Sequence, residues 1–203
     1  MVDKRTCGEI WSRGFATGIP AVVLLFLVIA LGLNNSPDSD NLPFSTANCS
    51  NLNLDFLNPN NIKISTNIFC GIFSGLTLFV MVYQIVVIVL KALQVGFLES
   101  RTNKKIFFWV DSILLNIFVA VFAAICAGVV FLSSYRNSYL TVFDNQLDGI
   151  STKHFGVTTG MLWAAFGFSI SSMYQMISVL GHSWTTHGKC SKEENKEELK
   201  NMH

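Results

Sequence analysis

Residues 68–132 read IFCGIFSGLTLFVMVYQIVVIVLKALQVGFLESRTNKKIFFWVDSILLNIFVAVFAAICAGVVFL. Two long apolar runs, Ile68 to Leu90 and Ile106 to Leu132, flank a short stretch that carries Arg101, Lys104 and Lys105. The first run holds no charge, and the second holds only Asp111, near its start. Each reaches or exceeds the ~20 residues that cross a ~30 Å hydrocarbon core, so the pair predicts a transmembrane hairpin. Lys and Arg resist being carried across a bilayer, which puts the basic turn on the cytoplasmic side.

Two more apolar runs lie outside the hairpin. Phe15 to Leu33 spans 19 residues, with Pro20 early enough in it to be tolerated. A secretory signal is the competing reading of this run, but the apolar core exceeds the ~7–15 residues of a signal and no Ala-x-Ala cleavage pattern follows. A retained first helix is therefore expected. Phe155 to Leu180 carries no charge. In lipid the backbone finds no water partners, so each run must close its own hydrogen bonds as a helix.

The expected fold is an all-α, four-helix transmembrane bundle with helices at about 15–33, 68–90, 106–132 and 155–180. Residues 1–14 form a cytoplasmic N-terminus, 15–181 the four-pass domain and 182–203 a cytoplasmic tail, with outer loops at 34–67 and 133–154. The N-terminus, the 91–105 turn and the tail hold eleven of the Lys and Arg residues, and the alternate loops hold three (Lys63, Arg136, Lys153), which places both termini inside. Half the chain (51%) is hydrophobic and 13% is charged, against about a quarter charged in a soluble domain. A net charge of +1 gives no field that would attract nucleic acid.

The cysteines divide by compartment. Cys49 and Cys70 fall on the outer side, where oxidising conditions make them the expected disulfide, closing the loop onto the start of helix two. Cys7 and Cys190 lie near the cytoplasmic surface and are palmitoylation candidates; Cys126 reads as small packing inside helix three. Asn34-Asn35-Ser36 and Asn48-Cys49-Ser50 match the N-glycosylation acceptor pattern, making Asn34 and Asn48 candidates.

A carboxylate inside a membrane span is costly and marks a function or a specific partner. Counted outward from a turn centred near Thr102, Lys91 and Asp111 reach similar depth, so an ion pair between them is expected. Gln84, Asn116 and Gln175 are the other strongly polar groups in the spans, expected to hydrogen-bond between helices. Small residues recur at four-residue spacing (Gly71 and Gly75; Ala120, Ala124 and Gly128; Gly156, Gly160 and Ala164), a pattern that lets helices approach closely and is expected to pack inside the bundle. Trp11, Trp109 and Trp184 mark the cytoplasmic boundary, Tyr135 and Tyr139 the outer one, and Trp163 is expected in the core. His182, His187 and His203 share no metal-ligand spacing with acids or cysteines, and no HExxH, CxxC or nucleotide-binding Gly-rich motif occurs. No cofactor, metal or catalytic set is expected.

Three stretches carry a family resemblance: external Cys49 followed by Ile68-Phe69-Cys70-Gly71; Trp109-Val110-Asp111 opening an alanine-rich third helix; and Gly160-Met161-Leu162-Trp163-Ala164-Ala165-Phe166 in the fourth. Their layout resembles the four-pass MARVEL-type tetraspans, the group of synaptophysin, synaptogyrin, MAL and occludin. That resemblance implies a non-enzymatic role in membrane trafficking or organisation, at the plasma membrane or a secretory or vesicle membrane. The expected partners are the lipid bilayer and other integral membrane proteins, or a second copy. An accessory subunit of another membrane protein fits the same layout. The alternative is an oligomeric channel or transporter subunit.

Overall fold

The computed structural model describes the backbone of residues 4–35, 59–93, 101–143 and 149–201, and the side chains of 10–35, 62–93, 105–138 and 155–185. These residues form four helices: α1 (Lys4–Asn34), α2 (Pro59–Ala92), α3 (Arg101–Phe143) and α4 (Gly149–Asn201). The architecture is all-α. α1 packs closely against α2 and α4, α3 packs against α4, and the α2–α3 contact is the lightest of the four, so the helices close a ring in chain order. The start of α1 meets the end of α2, the start of α3 and the later part of α4, giving an up-down-up-down bundle.

Every helix outruns its apolar segment. Even α1, at 31 residues, is about 46 Å long at 1.5 Å per residue, against a ~30 Å hydrocarbon core. Local chemistry supports the ends. Pro59 opens α2 where a missing N–H costs nothing. Asn35 closes α1, its backbone N–H and its side-chain amide both donating to the Leu31 carbonyl (3.2 and 3.0 Å).

On α1, α3 and α4 the inward positions alternate between three- and four-residue spacing. On α1 they are Arg13, Ala16, Pro20, Val23, Leu27, Ala30 and Asn34; on α3, Asp111, Leu115, Phe118, Phe122, Ile125, Val129, Leu132 and Arg136. On α4 they run Thr158, Leu162, Ala165, Ser169, Ser172, Met176, Val179 and Ser183. This is a seven-residue repeat, which keeps one seam facing its neighbours and favours near-parallel, left-handed helix crossing. Aromatic contacts join the helices along it: Phe26 stacks on Phe168 (5.6 Å between centroids), and Tyr83 meets Phe118 edge-on (5.3 Å).

The outward positions are apolar. Leu25, Ile68, Ile72, Phe79, Ile113, Ile117, Phe131 and Ile177 are all exposed. Three stretches, 10–34, 62–92 and 105–138, are long and apolar enough to cross a membrane. α4 carries Thr158, Thr159, Ser169, Ser171, Ser172 and Gln175 through its middle, which lowers its hydropathy relative to the other three.

The helix bounds correct the expected ones. The helix of the predicted N-terminal segment 1–14 already begins at Lys4, α2 starts nine residues before Ile68, and α3 runs past Ser133 to Phe143. α4 continues beyond residue 181, through the predicted tail, to Asn201. Helices need not end where hydrophobicity ends, because polar residues continue the same hydrogen-bond ladder in water. Trp163 is 45% exposed on the outer side of α4, against Phe166, and is not a core residue. Gly71, Gly75, Gly156 and Gly160 also face outward with open space beyond them; of the small residues set out above, Gly128 is the glycine pressed by another helix, through the Phe69 ring.

Candidate functional site

The buried charges collect at two levels, one toward each end of the bundle. At the first, the Arg13 guanidinium on α1 is fully buried and forms a two-pronged pair with the Asp111 carboxylate on α3. Nη1 donates to Oδ1 at 3.2 Å, and Nη2 lies against Oδ2. The Tyr83 hydroxyl donates to Asp111 Oδ1 at 2.8 Å. Arg13 Nη1 also donates to Gln84 Oε1 at 3.1 Å, and Gln84 Nε2 donates to Met176 Sδ at 3.4 Å. One cation, one anion, a phenol and a carboxamide thus tie all four helices together. Removing a carboxylate from water costs several kcal/mol; a forked guanidinium and a phenol offset that cost through three charge-assisted hydrogen bonds.

Asp111 is therefore paired across helices, but its cationic partner is Arg13 and not Lys91. The Lys91 ammonium stands 5.8 Å from the centroid of the Phe107 ring. The physical reason lies in the turn. α2 ends at Ala92 and α3 begins at Arg101, so the connection is centred near residue 97 and not 102. Counting from there puts Asp111 level with Tyr83 and Gln84. Lys91 lies seven residues further on, about 10 Å away.

At the second level Arg136, 1% exposed, is held by neutral acceptors. Nε donates to Thr159 Oγ1 (3.0 Å), Nη1 to Thr66 Oγ1 (3.3 Å) and Asn34 Oδ1 (3.4 Å), and Nη2 to the Phe155 carbonyl (3.0 Å). The guanidinium also lies over the Phe155 ring, 3.8 Å from its centroid. The network continues outward through carboxamides: Asn34 Nδ2 donates to Asn67 Oδ1 (2.8 Å) and the Lys63 carbonyl (3.0 Å), and Asn67 Nδ2 to Asn35 Oδ1 (2.8 Å). This level also reaches all four helices.

The other sequence candidates fall as follows. Asn34 cannot serve as a glycan acceptor in this fold, because its side-chain nitrogen is buried and donates to α2. Cys70 is a free thiol packed in the bundle core, eleven residues (about 16 Å) into α2, which removes the expected Cys49–Cys70 disulfide. Cys49 and Asn48 lie outside the described residues, as do the side chains of Cys7 and Cys190. The Cys126 sulfur sits 3.8 Å from the Phe166 carbonyl. Gln84 bonds from α2 to both α1 and α4; Asn116 instead faces outward and donates to the Ser112 carbonyl on its own helix (2.8 Å). Gln175 is half-buried on α4. Among the described residues, no three His, Cys, Asp or Glu side chains come together as metal ligands.

In the sequence Arg13 falls in a polar N-terminal segment and Arg136 in the stretch between the third and fourth apolar runs. The signal that finds both is the inward seam itself: extended by one step, the apolar spacing of α1 lands on Arg13 and Asn34, and that of α3 on Asp111 and Arg136.

Trp109 and Trp184 meet edge-on with Phe108 between α3 and α4, at centroid distances of 5.5–6.2 Å, just beyond the Asp111 level. Both indoles are about half exposed. Comparison with family models, with characterised proteins and with solved structures finds no match to this chain.

Proposed function

We propose that the chain is a four-pass integral membrane protein with both termini cytoplasmic, acting by lateral association to organise or escort membrane, without catalysis of its own. The observation that carries this reading is the radial arrangement: apolar side chains point outward along the helices while Arg13, Asp111 and Arg136 are buried inside. That distribution suits lipid as the surrounding solvent. α4 belongs with the other three because it runs beside them from the Arg136 level, at Phe155, to the Asp111 level, at Met176.

Between the two levels the interior is filled by Val23, Leu27, Phe118, Phe122, Ile125 and Leu162. Such packing supports a solid scaffold with an interacting outer surface, and a solute path would have to run between copies. The layout's similarity to MARVEL-type tetraspans supports membrane organisation or trafficking, or service as an accessory subunit, at the cell surface or a secretory membrane.

The test combines three measurements on the full chain. We expect resistance to alkaline carbonate extraction, protection of tags on both termini from protease added to intact cells, and co-isolation of other membrane proteins, or of a second copy, after cross-linking in native membrane. Solute flux through purified protein in vesicles, abolished by Asp111→Asn, would replace this reading with the channel one.

A further inference from the structure

α3 carries a second seam, on its outer side. Trp109, Ile113, Asn116, Ala120, Ala123 and Ala127 follow each other at alternating spacings of four and three residues, and all are exposed. A seven-residue repeat with small side chains is the pattern by which one helix receives another at close range. The inward repeat of α3 is filled by α1, α2 and α4; of the outward one Trp109 meets Trp184 of α4, and Ile113, Asn116, Ala120, Ala123 and Ala127 stay exposed among the described residues.

Asn116 sets the character of this seam. It lies eleven residues past Lys105, where the apolar span begins, or about 17 Å along the helix. One amide proton goes to the Ser112 carbonyl. The other proton and the Oδ1 acceptor have no partner among the described residues, and hydrocarbon supplies none.

We propose that the outer face of α3 binds the same face of a second copy, forming a parallel two-fold dimer in which the two Asn116 carboxamides hydrogen-bond to each other. This rests on the lateral-association reading above and names its partner. Three features select a second copy over a foreign helix. A carboxamide is both donor and acceptor, so two of them close a reciprocal pair. Copies inserted with one topology lie parallel, which brings Asn116 to the same depth in each. Ala120, Ala123 and Ala127 then allow close approach from both sides of the axis, and a two-fold contact is closed, requiring no further copies. A lone Asn in such a seam also fixes the register of the pair.

The test uses the full chain, donor- or acceptor-labelled at the C-terminus, in phosphatidylcholine vesicles over a range of protein-to-lipid ratios. Energy transfer should report a dimer. Asn116→Leu should weaken it about eight-fold, as expected for two hydrogen bonds of average intramembrane strength, and Asn116→Gln should retain most of it. Asn116→Leu places an aliphatic group on an outward position, so its unfolding midpoint in detergent, at a dilution where the chain is monomeric, should be unchanged. Oxidative cross-linking should join Asn116→Cys and Ala120→Cys copies but not Ile72→Cys on α2 or Ile170→Cys on α4, each compared with the unsubstituted chain. A monomer at every ratio, a dimer indifferent to Asn116→Leu, or cross-links at the α2 or α4 positions would overturn the proposal. Capture of a different membrane protein by a photo-cross-linker at Ala120 would also overturn it while leaving lateral association standing. Failure to co-isolate any protein from native membrane would instead remove the broader reading.

Discussion

Asp111 accepts hydrogen bonds from Arg13 and Tyr83 with almost no access to solvent, so the energetic weight of this pair lies in what its loss would leave behind. Deleting one partner strands the other as a buried charge, at about 3–5 kcal/mol. We expect Arg13→Ala and Asp111→Ala each to lower the unfolding midpoint in mixed micelles, and the double variant to cost far less than the sum. The Lys91/Asp111 cycle should show no comparable coupling; equal coupling in both cycles would reject the pairing. Arg136 allows a sharper chemical test. Its fork serves Thr159, Thr66, Asn34 and the Phe155 carbonyl at once, and its plane lies on the Phe155 ring. A lysine keeps the charge but loses the fork and the stacking. Arg136→Lys should therefore destabilise the protein by about 1–3 kcal/mol through unsatisfied buried acceptors and donors, and a neutral effect on the midpoint would show that charge alone matters there. Sequence made Asp111 conspicuous because a lone carboxylate interrupts an apolar run. Arg13 and Arg136 escaped because each stands just past the end of such a run, where a charge also fits solvated loop.

At the scale of the helix, hydrophobicity and periodicity carry different information. The four apolar runs located the four helices, three of which are long and apolar enough to cross a membrane. Their true ends, from Lys4 in α1 to Asn201 in α4, lie in polar sequence that gives no contrast with loop. The small residues show the same divide: spacing says that Gly71, Gly75 and Gly128 could permit close approach, and the partner decides which of them does. Phe69 lays its ring edge over Gly128, where an added methyl would overlap it, while Gly71 and Gly75 look onto open space. Gly128→Ala should thus cost about 1–3 kcal/mol as the ring is displaced from between α2 and α3. Gly71→Ala should be neutral or stabilising by up to about 1 kcal/mol from helix propensity alone. Adding Phe69→Ala to Gly128→Ala should remove most of the extra cost. Unfolding midpoints of the variants check all three, and equal effects at Gly71 and Gly128 would mean that the α2–α3 contact is not made there.

For the whole molecule, the proposed membrane reading predicts that the two buried polar levels bound the hydrocarbon layer. Along α3, Asp111 and Arg136 are twenty-five residues apart, about 37 Å; along α1, Arg13 and Asn34 are twenty-one apart, about 31 Å. Helix tilt shortens both projections toward the ~30 Å of a typical hydrocarbon core. Trp109 and Trp184 flank the first level, where amphipathic rings favour the headgroup boundary. A thinner bilayer would leave the outward rows of Ile, Val and Phe in water; a thicker one would draw the polar levels and the chain beyond them into hydrocarbon. Either mismatch costs fractions of a kcal/mol per Å on each helix, and four helices share it. Thermal stability in phosphatidylcholine vesicles of graded monounsaturated chain length should accordingly peak at intermediate length and fall on both sides. Substituting Arg136→Met together with Asn34→Leu should move that optimum toward longer chains, because the apolar column then extends further at one end. A stability that is flat with chain length, or an optimum unmoved by the double substitution, would mean that the bilayer boundary is set elsewhere than at the two levels.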